Sequence, residues 1–364
     1  EGGAEISDGA AEVASSSSTD GGAGNVKSAL APLALQRAVS KRPTVTQVAC
    51  GVCHSGAVAN GRLFMWGSNE DGELGNGGSV TIDIPDESRT RYHYLDGPVA
   101  SIACGDSYTL ACTVVGTLFG WGRGDNFQLG NGVATPQVFE PAVCSSLMSY
   151  RIVSVSACET HSACITNDHT LFTFGTGAHG QLGLGRRNAV APLPTRVVQL
   201  KDVAQCTLGA AHTVARTVGG RVWAFGSGWY GRLGTGRIEN EFEPCLILGD
   251  LAERFVSFVA AGAEHTLAIA DGDLYVWGRD EGRLGLGETH DERAVKLSPV
   301  RNDYIARMGS VISRASAGET HSLILTKNGE ILSFGTSERR FMLGHGRRQS
   351  SQTEGSSSVS IATK

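Results

Sequence analysis

An all-β fold built from repeated blades is predicted by three features that recur at a common spacing. An aromatic residue followed by glycine occurs at Trp66-Gly67, Trp121-Gly122, Phe174-Gly175, Phe225-Gly226, Trp277-Gly278 and Phe334-Gly335, at intervals of 51 to 57 residues. A Leu-Gly-x-Gly follows each of them within seven to nine residues, at Leu74, Leu129, Leu182, Leu233, Leu284 and Leu343. About fifteen residues upstream of each aromatic stands a small residue with a histidine three positions on: Gly51 and His54, Gly209 and His212, Gly262 and His265, Gly318 and His321. Cys158 with His161 and Gly105 with Tyr108 are variants of the same pair. A period of roughly 50 residues fits a four-stranded propeller blade and exceeds the usual solenoid turn.

Within a unit the strands are short and bounded by turn residues. In the fifth unit, residues 256 to 260 (VSFVA), 266 to 269 (TLAI) and 274 to 277 (LYVW) are apolar runs, the last two separated by Asp271-Gly272. An Asp-Gly or Asn-Gly pair tolerates the positive φ of a type I′ turn and so predicts a tight hairpin. Asn60-Gly61, Gly219-Gly220 and Asn328-Gly329 repeat it at the same offset. No segment reads as a helix. Glycine in the repeats serves tight turns and close backbone approach between blades.

Composition sets the outer limits. The chain has 364 residues, 49 of them glycine, with 41% hydrophobic and 18% charged residues, which excludes collagen and global disorder. No apolar run reaches the ~18 residues of a membrane helix; the candidate at 255 to 270 is interrupted by Glu264 and His265. The net charge of -5 is carried by Glu1, Glu5, Asp8, Glu12 and Asp20, since residues 1 to 26 contain no Lys or Arg. A neutral body with an acidic start argues against direct nucleic-acid binding. An odd count of nine cysteines in a long chain favours a reducing intracellular compartment over a disulfide framework. The first residue is Glu1, as expected of a processed or trimmed end.

The combination Gly-x-x-His, aromatic-Gly and Gln-Leu-Gly-x-Gly, most complete from His161 through Phe174-Gly175 to Gln181-Leu182-Gly183-Leu184-Gly185, resembles the regulator of chromosome condensation repeat. The resemblance covers residues 44 to 346 and implies a seven-bladed β-propeller. Six repeats are clear, centred on residues 66, 121, 174, 225, 277 and 334, so residues 27 to 364 are assigned to the propeller and residues 1 to 26 to an acidic Ser/Gly segment. A seventh blade would then be split between the termini. Residues 358 to 363 (SVSIAT) resemble the first strand of a unit, as in 99 to 104 (VASIAC), while residues 5 to 9 and 20 to 25 resemble a second strand with its turn and a later loop. The competing reading makes residues 1 to 26 a free tail. Deleting them is expected to lower the melting temperature by several degrees, because an opened ring exposes two blade edges; an unchanged melting temperature supports the tail.

The chemistry-bearing motifs are largely absorbed by the repeat. Cys50-Gly51-Val52-Cys53-His54 matches the C-x-x-C-H haem attachment pattern. However, Cys50 has its equivalent in Cys104, and His54 is one of the recurring histidines, so the repeat accounts for both and no haem is expected. The histidines are expected to be buried and hydrogen-bonded, not to act as general bases. The chain shows no catalytic triad, paired carboxylates, phosphate loop or metal cluster, so neither catalytic residues, cofactor nor metal is expected. A light-sensing branch of the family carries Gly-Trp-Arg-His-Thr where this chain has Gly209-Ala210-Ala211-His212-Thr213. Light sensing is therefore not implied.

What remains points to binding. Residues 79 to 96 and 288 to 307 lengthen two connections and carry Tyr92, Tyr94 and Tyr304, a residue type enriched in interface hot spots. Asp106, Glu159, Glu264 and Glu319 recur just before the histidine position, and in the family's exchange factor acidic residues near these positions face a GTPase. The expectation is a non-catalytic interaction scaffold whose protein partner is a small GTPase or a subunit of a larger assembly. The alternative that the resemblance implies is guanine-nucleotide exchange on a Ran-like GTPase. Against it stand the missing wedge insertion and an acidic tail in place of a basic one.

Overall fold

The computed structural model describes residues 44–85, 94–287, 295–335, 343 and 360–362. They belong to the second of two compact units, Thr44–Lys364. Six antiparallel sheets succeed one another along the chain as the blades of a β-propeller. Blades two to six have four strands in the spatial order of the sequence, and blade one has three, with a single Gly67–Ile82 bridge where a fourth would pair.

The C-terminal segment takes a place that the sequence did not suggest. Ser360–Ala362 pairs with Ile331–Gly335 as the fourth strand of the sixth blade. It therefore completes an existing sheet and does not begin a seventh, because the third strand of blade six otherwise offers an open edge. The N-terminal half of the split-blade expectation, residues 1 to 25, lies outside the described residues.

Two hairpin types join the second and third strands. Asn60-Gly61 and Asp271-Gly272 both have positive φ at each position, at 52° and 76° and at 56° and 86°, as a type I′ turn requires. At Gly219-Gly220 and Asn328-Gly329 only the second residue is left-handed. There Thr217 and Thr326 accept from the amides of Gly220 and Gly329, and a longer loop closes onto Arg221 and Glu330. The extra residue gives a three-residue loop whose glycine supplies the bulge.

The first strand of every blade carries a bulge at one place, between Val45/Gln47, Val99/Ser101, Ile152/Ser154, Val203/Gln205, Val256/Phe258 and Ile312/Arg314. The residue after the bulge reaches sideways. Gln47 donates to the Ile102 carbonyl at 2.8 Å and accepts from its amide at 3.1 Å; Gln205 does the same to Val259. Between blades five and six the contact is Arg314 over the Phe258 ring, 5.3 Å from its centroid.

Each hydrophobic cluster draws its residues from two neighbouring blades, so the core lies between sheets. The repeat aromatic is the centrepiece: Trp121, Phe174, Phe225, Trp277 and Phe334 each sit on the first glycine of the preceding unit's Leu-Gly-x-Gly. A Cβ on Gly75 would stand 2.7 Å from Trp121, and one on Gly183 equally close to Phe225. The second glycine then donates its amide to the next blade's fourth strand, as Gly77 does to Phe139 and Gly236 to Leu297. Those fourth strands hold Pro141, Pro194, Pro244 and Pro299. Proline is tolerated at such sheet edges, where a missing N–H need not break a ladder.

Candidate protein-interaction face

The recurring histidines are structural. His54, His161, His212 and His265 begin the second strands of their blades and are buried, and each points Nε2 at a hydroxyl of the following blade: Thr109 at 2.9 Å, Thr213 at 3.2 Å, Thr266 at 3.1 Å and Ser322 at 2.8 Å. Each of those hydroxyls already donates its one proton to a backbone carbonyl, of Glu73, Gln181, Arg232 and Arg283 respectively. It must therefore accept from the imidazole, which fixes the neutral Nε2–H tautomer. Nδ1 is left without a partner in all of them. Burial holds the His54 and His161 rings at a pKa of about 4 and the His265 ring at about 3, and also lowers that of His212. In blade two, Tyr108 makes the same connection, donating to the His161 carbonyl at 2.9 Å and sharing a 2.8 Å bond with Ser162.

Between the first strand and this histidine the chain turns through a two-residue hairpin loop, closed by bonds such as Gly51 N–H to His54 O and Gly262 N–H to His265 O. Asp106, Glu159 and Glu319 are the first residues of these tips. Glu264 is one residue later, in the place occupied elsewhere by Cys53, Ser107 and Thr160. The four acids thus share one end of the strands but not one register. Because His54 pairs with Gly67 across the second and third strands, the segments after each aromatic-Gly lie at the same end.

Those neighbouring segments decide which acids are available. Arg279 donates to Glu264 at 2.8 Å, and the guanidiniums of Arg232 and Arg283 approach it at 3.7 Å each. Glu281 joins the cluster through Arg279 and through Arg283 at 2.9 Å. Glu264, expected as a docking residue, is therefore engaged in ion pairs with its own chain's arginines. Asp106, Glu159 and Glu319 form no ion pair among the described residues, and Glu159 and Glu319 are exposed. The tyrosines lie elsewhere. Tyr94 is 47% exposed and donates to Glu140 on the fourth strand of blade two, and Tyr304 is 40% exposed on the short helix Asp303–Ala306 after blade five's fourth strand. Both belong to the sheet-edge side, apart from the acids; Tyr92 lies outside the described residues.

Sequence reasoning missed the arginine cluster and the aromatics beside it. Arg279 lies 4.7 Å from the centroid of Tyr230, whose neighbour Trp229 is 65% exposed. The signal was available in the repeats: Arg232 and Arg283 stand where Gln128 and Gln181 stand in units two and three. Gln128 and Gln181 cap their own turns by accepting from Asn126 and His179. Arginine is long enough to leave that turn and reach the next blade, where Arg232 donates to the Ala263 carbonyl and Arg283 to that of Glu319. Substituting Glu264→Gln leaves two buried guanidiniums short of a counter-charge. It is expected to cost about 2 kcal/mol, read as a fall in denaturation midpoint.

The RCC1-like domain model matches residues 16–362. The chain belongs to the RCC1-like domain family. It is 31% identical over 297 residues to the ultraviolet-B receptor UVR8 of Arabidopsis thaliana, covering 80% of this chain and 65% of that protein. It is 33% identical over 274 residues to the human E3 ubiquitin-protein ligase HERC2, covering 73% of this chain and 5% of HERC2. The chain thus spans just under two thirds of one curated relative and a small part of the other. Among solved structures it resembles yeast RCC1 (Prp20) bound to Kap60, with a TM-score of 0.67, 21% identity, and coverage of 80% of this chain and 70% of that one. That likeness concerns the fold.

Proposed function

We propose that this RCC1-like propeller is a non-catalytic scaffold that docks a basic surface of a protein partner on its hairpin-tip face, centred on Asp106 and Glu159. The observation that supports it is the contrast between these acids and Glu264: Asp106 and Glu159 on adjacent blades two and three, like Glu319 on blade six, form no ion pair among the described residues, whereas Glu264 on blade five is covered by Arg232, Arg279 and Arg283. A rigid ring that presents variable tips suits binding, and the charge acts on encounter rate and specificity more than on affinity. The histidines are committed to latches between blades, which leaves them unsuited to proton transfer. Nine free cysteines fit a reducing intracellular compartment.

The test is affinity purification from native cells with wild type, the Asp106→Lys/Glu159→Lys double variant and Tyr304→Ala. Partner capture is expected to be lost in the double variant and kept in Tyr304→Ala. The reverse pattern places the docking surface at the sheet edges and overturns this reading. Accelerated release of a fluorescent guanine nucleotide from a Ran-like GTPase would show exchange activity and refute a pure scaffold.

A further inference from the structure

The Cys50-to-His54 run is divided by the structure into a latch and two unassigned thiols. His54 is 2% exposed, its Nε2–H is committed to Thr109 and its Nδ1 is buried, so the ring serves as a latch between blades. Cys50, the last residue of the first strand, and Cys53, the second residue of the hairpin loop, are both exposed. The other seven cysteines are buried or half-buried, and burial pushes the thiols of Cys112, Cys158 and Cys206 up to about 12. Burial also raises the other four, so all seven are less ready than an exposed thiol to form the reactive thiolate.

The fold does not require the exposed pair. At the Cys50 place the later blades have Cys104, Ala157, Leu208, Ala261 and Ala317; at the Cys53 place they have Ser107, Thr160, Ala211, Glu264 and Thr320. Only blade one has cysteine at both. Only Gly51 and Val52 separate the two; Val52 and Cys53 form the loop closed by the 2.8 Å bond from Gly51 N–H to His54 O, and Cys50 pairs with Ser55. The chain therefore reverses direction between the two thiols. No group of three His, Cys, Asp or Glu side chains suited to a metal is found among the described residues, so the pair stands as a dithiol.

We propose that Cys50 and Cys53 form a reversible dithiol–disulfide couple on the hairpin-tip face, exchanging with small disulfides of the oxidised-glutathione class. One protein thiolate attacks a sulfur of the small disulfide, forming a mixed disulfide and expelling one small thiol. The second protein thiolate attacks the protein sulfur of that mixed disulfide, closing the Cys50–Cys53 bond and expelling the second small thiol. The protein loses two electrons and two protons, and the small disulfide is reduced to two thiols. Exposure makes the bond accessible to the reverse exchange, a property of labile disulfides.

The experiment uses the full chain equilibrated in glutathione buffers of increasing oxidised fraction, acid-quenched, alkylated and mapped by mass spectrometry. Both cysteines fall in one tryptic peptide ending at Arg62. The expected result is loss of two hydrogens from that peptide without a glutathione adduct, reversed completely by excess dithiothreitol. Cys50→Ser and Cys53→Ser, which change exposed side chains only, should each retain a glutathione adduct on the remaining cysteine. A stable adduct on the wild-type peptide, a Cys50–Cys104 link, or no oxidation at any glutathione ratio overturns the proposal. None of these readouts depends on partner docking.

Discussion

Below pH 6.5 the protein is expected to lose stability steeply, with the melting temperature flat from pH 8 to 7 and falling through pH 5. Above the ordinary imidazole value the histidines are neutral in both the folded and unfolded chain and contribute no pH dependence. As pH falls from 6.5 towards 4, the unfolded chain takes up protons at His54, His161, His212 and His265 while the folded chain refuses them. Stability then drops with pH, by at most about 1.4 kcal/mol per pH unit for each histidine. The refusal has a geometric cause, since a proton on Nδ1 would be buried with no hydrogen-bond partner. Calorimetric scans at pH 7.5, 6.5, 5.5 and 4.5 measure the effect. His212→Gln should be less stable at pH 7.5 but show a shallower fall. A melting temperature constant down to pH 5 would contradict the neutral-latch description.

Gly209→Ala is expected to be among the more damaging methyl additions in the ring, costing about 3 kcal/mol. The added Cβ would lie 2.1 Å from Cε1 of His212 and 2.3 Å from the Gly262 carbonyl of the next blade. Relief therefore requires movement of a ring or of a neighbouring blade's backbone. Blade three indicates the cost, because Cys158 stands at this place. The Cys158 N–H to His161 O bond is 3.3 Å there, against 2.8 Å for both Gly51 and Gly209 with their histidines. Gly329→Ala is the control. Nothing lies within 4 Å of its Cβ, and its cost of about 1 kcal/mol comes from a φ of +85° alone. Urea denaturation of the two variants ranks them. A Gly329→Ala penalty equal to or above that of Gly209→Ala would show that local backbone strain outweighs packing between blades.

Much of the site was legible because every blade solves the same problem. The placement of His161 and its equivalents followed from their recurrence, and so did the shared end of the strands on which Asp106, Glu159 and Glu319 lie. Glu264 shows where such reading stops. Its charge is visible in the sequence, but its neutralisation depends on Arg232, 32 residues earlier, and on Arg279 and Arg283, 15 and 19 residues later. Strand pairing within blade five, where His265 faces Gly278, sets Arg279 beside Glu264, and the stacking of blade four on blade five brings Arg232. That Tyr94 and Tyr304 lie apart from the acids was hidden for a related reason: being on a long connection does not say towards which side of the sheet the residue projects.

By itself the sequence determined the blade repeat, its strands and the glycines on which the aromatics rest, because each is a local pattern enforced at a fixed period. The tertiary structure decided that Ser360–Ala362 completes the sixth sheet, that the histidines are neutral donors to the next blade, and that Glu264, unlike Asp106, Glu159 and Glu319, is covered by arginine. Strand pairing and hydrogen bonds between blades join residues about 30 to 60 positions apart, and burial, tautomer and charge balance are properties of those meetings. A one-dimensional period records that such meetings recur; it does not record which partner each residue finds.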